Sequence, residues 1–295
     1  VMRIRVIPDQ MVRFASMAVG DLDFVDLTFE QVVTLDNRPQ EFSTITMPHY
    51  GSGIEFVLNT DSIPLDSREV RQAIFNALDP WEYSKRYSSE KTFNGLGFPA
   101  RHESWYMSQE ELKEYVGSFP DQGSLLPGVS LSGTGVTLSV GDYGVEFVTL
   151  AKEVTSDLAS IGMQVDMETV TASEYLKMAE GMLSYDMYLG PSIPVITPNQ
   201  YFFAVLHSEG RYNSSGYTDA GLDLLIELQG QDMDPMSRNN TVKEIHKRGM
   251  HSATRLMLVT DHSNWGWDAR MSGVSINSWA QEYFSYTYFF WGDDR

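Results

Sequence analysis

The sequence contains no cysteine, so disulfides, thiolate metal sites and a cysteine nucleophile are all excluded, while the redox compartment stays open. Basic charge is scarce. Lys and Arg number 21 against 40 Asp and Glu, a formal net charge of −19. Nucleic acid is therefore an unsuitable partner, because displacing counterions from a phosphate backbone needs a basic surface. An anionic membrane surface is excluded for the same reason. Acidity of this size fits a soluble, monodisperse protein and would suit a salty habitat. No stretch reaches the roughly 18 consecutive apolar residues of a membrane-spanning helix. The opening "VMRIRVIPDQ" has neither an apolar h-region nor a small-residue cleavage site, so it is no signal peptide. It reads like the middle of a domain, and the chain is expected to be a segment of something longer. A P-loop, a Gly-x-Gly-x-x-Gly fingerprint and a nucleophile elbow around Ser263 are all missing. So are internal repeats and low-complexity tracts.

What is present is core-forming material. Hydrophobic residues make up 42%, with six Trp, 15 Tyr and 15 Phe, enough for two domains or one large one. Met2, Ile4 and Val6 alternate with arginines, which predicts a strand. Asp9 opens a helix over Met11, Phe14, Ala15 and Ala18 that Gly20 closes. "DLDFVDLT" and "EFSTITM" are strand candidates, the second ending at a His49-Tyr50-Gly51 turn. Ile54 to Leu58 form an apolar run, and Pro64 then turns the chain. Asp66 and Glu69 have capping-box spacing. Val70, Ala73, Ile74, Ala77 and Leu78 fall on one helical face, and Asp79-Pro80 starts a further helix. Residues 92–144 are Gly-, Ser- and Pro-rich and predict long loops, with "VTLSV" as a strand. From Val145 the rhythm is helix, strand ("MQVDMETV"), helix with a Thr171/Glu174 capping box, and strand ("YDMYLG"). That pattern indicates an α/β domain with a mostly parallel sheet. Helices are predicted at 218–229 and 235–250, the second capped by Asp234 with Pro235 at its first position. "RLMLVTD" predicts a strand, and the aromatic end "YFSYTYFFW" an extended one.

Sites of chemistry are sparse. His246 and His251 stand on different helix faces, which spoils a metal pair. Asp21, Asp23 and Asp26 lack the Gly and terminal Glu of a calcium loop. Asp261, His262 and Asp268, with Trp265 and Trp267 among them, allow a hydrolytic site, although packed aromatics at a strand end are the simpler account. The aromatic tail suits a buried strand better than an exposed platform for a flat ligand.

One stretch carries a specific resemblance. Leu58-Asn59-Thr60, Pro64 and then Val70-Arg71-Gln72-Ala73-Ile74-Phe75-Asn76-Ala77-Leu78-Asp79 resemble the extracytoplasmic solute-binding proteins of peptide, dipeptide and nickel ABC importers. "MVRFASMAVGDLDFVD", the segment from "LASIGMQVDMETV" to "YDMYL", "YNSSGYTDAGLDLLIE" and "SGVSINSW" are similar to further family segments in the same order. The resemblance spans most of the chain but only the C-terminal half or so of a typical member. It implies an α/β, periplasmic-binding-protein-like fold of type II, with a second lobe and an incomplete first lobe. The implied boundaries are a lobe-I remnant with the hinge approach at 1–50, lobe II at 51–272, and a segment at 273–295 returning toward lobe I.

The resemblance further implies a solute-binding component of an ABC importer. It would hold a peptide-like or other small solute by closure of two lobes and work with a membrane permease. It would lie outside the cytoplasm, as a periplasmic protein or cell-surface lipoprotein, and be monomeric at full length. No catalysis, cofactor or metal is implied. Peptide-binding members carry a Trp and an Asp just after the Tyr-Asp strand, the Asp pairing with the ligand's amine. Here Leu189 to Pro194 offer neither. The expected lining residues are Tyr188, Ser192, Asn199 and Tyr201, with Tyr50 and Gly51 near the hinge. Two alternatives stand beside transport: a hydrolase using the Asp261-His262-Asp268 region, and a sensor or interaction module on the same fold.

Overall fold

The computed structural model describes residues 2–87, 107–120, 131, 133, 135–193, 197–275 and 289–292, excepting the side chains of 47–52, 198, 261 and 262. Contacts divide the chain into two compact units, Val1–His49 with Asp261–Arg295, and Tyr50–Thr260. The chain passes between them along two long strands, β2 (Phe42–Leu58) and β6 (Arg255–Asp268).

The smaller unit opens on residues that form no strand. Met2, Ile4 and Val6 are 60%, 77% and 90% exposed. The alternation expected to make a strand is present, but among the described residues no neighbour takes its hydrogen bonds, and pairing is what makes a strand. Helix α1 (Gln10–Ala18) follows, with Asp9 accepting from the Val12 amide and Gly20 at φ +82° after its end. Strand β1 (Phe24–Leu27) pairs antiparallel with the far half of β6, placing Phe24 opposite Trp267 and Leu27 opposite Asn264. Helix α2 (Phe29–Asp36), which periodicity did not predict, is set by a Thr28/Gln31 capping box. Val25, Leu27, Met17, Val32 and Leu35 form the core on one face of this pair. Gly266 lies beneath it, where a Cβ would come within 2.7 Å of Leu27. Phe24 stacks on Trp265 on the opposite face, with centroids 5.0 Å apart. Short strands β7 (Met271–Ser272) and β8 (Phe290–Trp291) pair antiparallel; most of the expected aromatic strand lies outside the described residues.

The larger unit carries its strands in the order β6-β2-β5-β3-β4. Strands β3 (Gly135–Gly141), β4 (Gln164–Val170) and β5 (Met187–Pro191) are mutually parallel, while β2 runs antiparallel to β5. The expected turn at His49-Tyr50-Gly51 is instead the interior of β2. Side chains of a strand alternate between faces, and β2 sorts its residues accordingly. Ile54, Phe56 and Leu58 join a large core with Leu138, Val140, Met187 and Leu189. Val57 faces a second cluster of Tyr175, Met178, Tyr185 and Tyr188.

The large core is covered by α3 (Arg68–Ala77), α4 (Pro80–Tyr87), α5 (Gln109–Gly117) and α6 (Val145–Ser160), with Met250 added from the helix Pro235–Ser252. The cap of α3 is Ser67, whose hydroxyl accepts from the Val70 amide, so the expected Asp66/Glu69 box is displaced by one residue. Helix α5 arises inside the stretch expected to be loop and carries its own Ser108/Glu111 capping box. Helix α7 (Ala172–Ala179) has the expected Thr171/Glu174 box. A short α8 (Pro198–Tyr201) runs into one π-turn, Phe202–Leu206. These pack with α9 (Ala220–Gln231) and α10 (Pro235–Ser252) around Phe202, Leu222, Ile226, Val242 and Ile245. Asp234 caps α10 and Pro235 occupies its first turn, as the sequence predicts.

The family-like Val-Arg-Gln-Ala segment locks α3 to the end of α10. Buried Arg71 donates from Nε to the Ser252 carbonyl (3.0 Å) and from Nη1 to the carbonyls of Leu65 (2.7 Å) and Asp66 (3.0 Å). Gln72 donates to the His251 carbonyl at 2.8 Å. The last carbonyls of a helix have no partner within it, and these two side chains supply one. Beyond them Ala253 takes a left-handed conformation, φ 49°, and releases the chain into β6.

Candidate functional site

Because β3, β4 and β5 are parallel, their carboxyl ends at Gly141, Val170 and Pro191 share one edge of the larger unit. In open α/β sheets that edge is where ligands are taken up. Tyr143 stands there, 36% exposed. Its ring lies across Gly141, where a Cβ would be 2.9 Å from it, and meets Tyr175 edge-on at 5.4 Å. Tyr175 is buried, pressed on the Gly190 backbone and anchored by its hydroxyl, which donates to the Pro191 carbonyl at 2.5 Å. Next to it the Ser192 amide donates to the Gly53 carbonyl (2.8 Å), and the Ser192 hydroxyl accepts from the Gly53 amide (3.0 Å). The loops at this edge, 141–145, 170–172 and 191–193, add the carboxylate of Asp142 and no Lys, Arg or His.

Tyr188 and Tyr201, expected to line the site, lie inside the larger unit, 0% and 7% exposed. The Tyr188 hydroxyl is 2.9 Å from Ser214 Oγ and 3.4 Å from Glu55. Around it sits a feature that periodicity did not reveal. Arg255 at the head of β6 and Glu55 on β2 form an ion pair of 2.6 Å, with side chains only 5% and 2% exposed. Arg255 Nη2 also donates to Ser214 Oγ (2.9 Å) and to the Tyr212 carbonyl (3.2 Å). Burial opposes the Arg255 charge most strongly, but Glu55 together with the Tyr188 and Tyr201 hydroxyls outweighs it and holds the guanidinium well above its ordinary pKa. Burial likewise pushes the Tyr188 and Tyr201 hydroxyls up, so both stay protonated. Single charges set in apolar runs ("GIEFVL", "RLMLVT") were the only sequence signal for this pair.

Asn199 accepts from Gln229 of α9, tying α8 down. Tyr50 and Gly51 belong to β2, and the Tyr50 side chain lies outside the described residues. The same holds for the side chains of Asp261 and His262. Asp268 is engaged by Arg270 at 2.7 Å, which holds its carboxyl below the usual range. A small cavity beside Arg255, lined by polar Asn213, Ser215 and Thr254 and by apolar Val205, Leu206 and Leu222, measures about 10 Å³. That is room for about one water and none for a solute. Among the described residues no three His, Asp or Glu side chains are grouped to hold a metal ion, and no helix is long and apolar enough to cross a membrane.

The fold has solved relatives. The ABC transporter substrate-binding protein CtaP of Listeria monocytogenes superposes with a TM-score of 0.76 at 17% identity, covering 98% of this chain and 59% of that one. The oligopeptide-binding protein AppA of Bacillus subtilis, solved with a nonapeptide, gives 0.70 at 17% identity, with 97% and 59% covered. A nickel ABC transporter structure from Bacillus halodurans gives 0.70 at 16%, with 92% and 58% covered. The chain thus spans somewhat over half the length of these relatives, and at such identities the likeness speaks for the type II periplasmic-binding-protein-like fold alone. A search of curated protein sequences gives no match. The sequence model of the middle region of bacterial extracellular solute-binding proteins, family 5, matches residues 2–214. With most of the chain under that match, the protein belongs to the family-5 bacterial extracellular solute-binding proteins.

Proposed function

We propose that the chain is the solute-binding component of an ABC importer, taking a peptide-like or other small solute and passing it to a membrane permease. It acts outside the cytoplasm, as a monomer, and without covalent chemistry. The unit Tyr50–Thr260 serves as its second lobe, and Val1–His49 with Asp261–Arg295 as part of the first. Solute shifts the protein's conformational equilibrium by binding one state better than another.

The observation that supports this most is the open edge at the carboxyl ends of β3, β4 and β5, set in a chain of this family. There the Tyr143 ring meets Tyr175, whose hydroxyl donates to the carbonyl of Pro191, the residue next to Ser192. Solute contacts are assigned to Tyr143 and Ser192, with Asn199, Tyr50 and Gly51 at the margin. Tyr188 and Tyr201 support them from within.

Calorimetric titration with a nonapeptide, nickel(II)–histidine and a disaccharide tests the proposal. The expected result is peptide binding at micromolar concentration or tighter, weakened about tenfold in Tyr143→Ala. Absence of binding to all three probes by the folded protein would overturn it.

A further inference from the structure

The buried Glu55–Arg255 pair joins the two strands along which the chain enters and leaves the larger unit. We infer that Glu55 and Arg255 are positioning residues: they clamp β2 to β6 and, through β5, fix the backbone at the Ser192 edge. This rests on the solute-binding role only for its purpose, since the clamp itself can be measured without any solute.

Four observations carry it. The pair is short and closed to water, 2.6 Å with side chains at 5% and 2% exposure. Such a pair resists sliding, because moving either strand would leave a buried charge without its partner. Arg255 is further held by Ser214 and the Tyr212 carbonyl, so its fork is fixed from two directions. Next, Glu55 sits opposite Gly190 in the β2–β5 register, two residues from Ser192, which is itself bonded twice to Gly53. Glu55 therefore lies within the same short ladder as the candidate solute contact. Lastly, the β6 end of the clamp is rigidly based: Arg255 stands three residues after Ser252, the α10 terminus that Arg71 and Gln72 hold. Leu58 also donates to the Thr254 carbonyl at 2.9 Å, joining the two strands beside the ion pair.

Amide hydrogen exchange on the intact chain, followed by NMR, tests this. The reporters are the amides of Leu58, Asn59 and Ser192; the references are those of Asp142 and Tyr175, bonded elsewhere in the same unit. Glu55→Gln leaves Arg255 unpaired and could prevent folding, so the principal variant is Glu55→Met/Arg255→Met, which replaces the pair by packed apolar chains. At matched global stability, the reporters should exchange at least tenfold faster than in the unaltered protein while the references stay within twofold. Reporters that remain unchanged, or reporters and references that accelerate together, would overturn the clamp. A clamp confirmed in a protein that binds none of the solute probes would instead count against the proposed transport role alone.

Discussion

Removing the Arg71 guanidinium should cost the larger unit a large part of its stability, although Arg71 touches no solute contact. Arg71→Met keeps the aliphatic stem and deletes three hydrogen bonds, to Ser252, Leu65 and Asp66. A hydrogen bond from a charged group contributes about 1.5–3 kcal/mol, so the gross loss is on the order of 4–9 kcal/mol. Part is returned, because burial disfavours the charged guanidinium and this is the main cause holding its pKa below the ordinary value. The three carbonyls, by contrast, lose their donor where water reaches them poorly. A net loss of about 4 kcal/mol follows, which compares with a total of roughly 5–15 kcal/mol for a typical domain. Urea unfolding read by far-ultraviolet circular dichroism should show the midpoint falling by about 1–2 M at unchanged slope. Arg71→Lys should recover little, since one ammonium cannot reach both the Ser252 carbonyl and the Leu65–Asp66 pair. A loss below about 1 kcal/mol in Arg71→Met, or full stability in Arg71→Lys, would refute the assignment of this residue as the cap of α10.

Gly190→Ala should lower the melting temperature, with a penalty of about 2 kcal/mol, because the new methyl falls 2.2 Å from the Tyr175 ring. Combined with Tyr175→Leu the penalty should be less than additive in a double-mutant cycle of melting curves. Asp219 caps α9 through the Gly221 and Leu222 amides and pairs with Arg248 at 3.0 Å. Burial would raise its carboxyl, but those partners prevail and hold it below 3.8. Its stabilisation is therefore complete above that value and disappears as pH falls through the folded-state pKa. Asp219→Asn should flatten the acid limb of a stability–pH curve below about pH 4, and Asp219→Ala should cost about 1–2 kcal/mol near neutrality by urea unfolding. Ser192→Ala removes the acceptor for the Gly53 amide and should weaken peptide binding several-fold in calorimetry while changing the melting temperature little.

Local signals in the sequence translated well. The Thr171/Glu174 box and the Asp234-Pro235 start are short-range chemistry, and both helices begin where those residues stand. Alternation misled at Met2–Val6, because a strand needs a partner that no alternation can supply. The glycine at 51 suggested a turn, yet glycine permits a turn without requiring one, and β2 runs straight through it. The Gly- and Ser-rich background of 92–144 hid α5 even though Ser108 and Glu111 already carried the capping signature. The candidate site was the least legible part. Tyr188 is buried on the inner face of β5 beside Glu55 and Arg255, which stand far apart in sequence and meet only in the fold.

The discontinuity of the smaller unit bears on the order in which the protein can be assembled. Phe24 finds its strand partner in Trp267, so β1 must wait until the whole of Tyr50–Thr260 has been synthesised. The larger unit, continuous in sequence, can complete its own contacts first, whereas the smaller one bears the loop-closure entropy of a distant pairing. During synthesis α1, β1 and α2 would accordingly spend the longest time without their β6 partner. Chaperone capture of nascent chains should concentrate there, on Met17, Val25, Leu27 and Leu35, the apolar residues that later form their core.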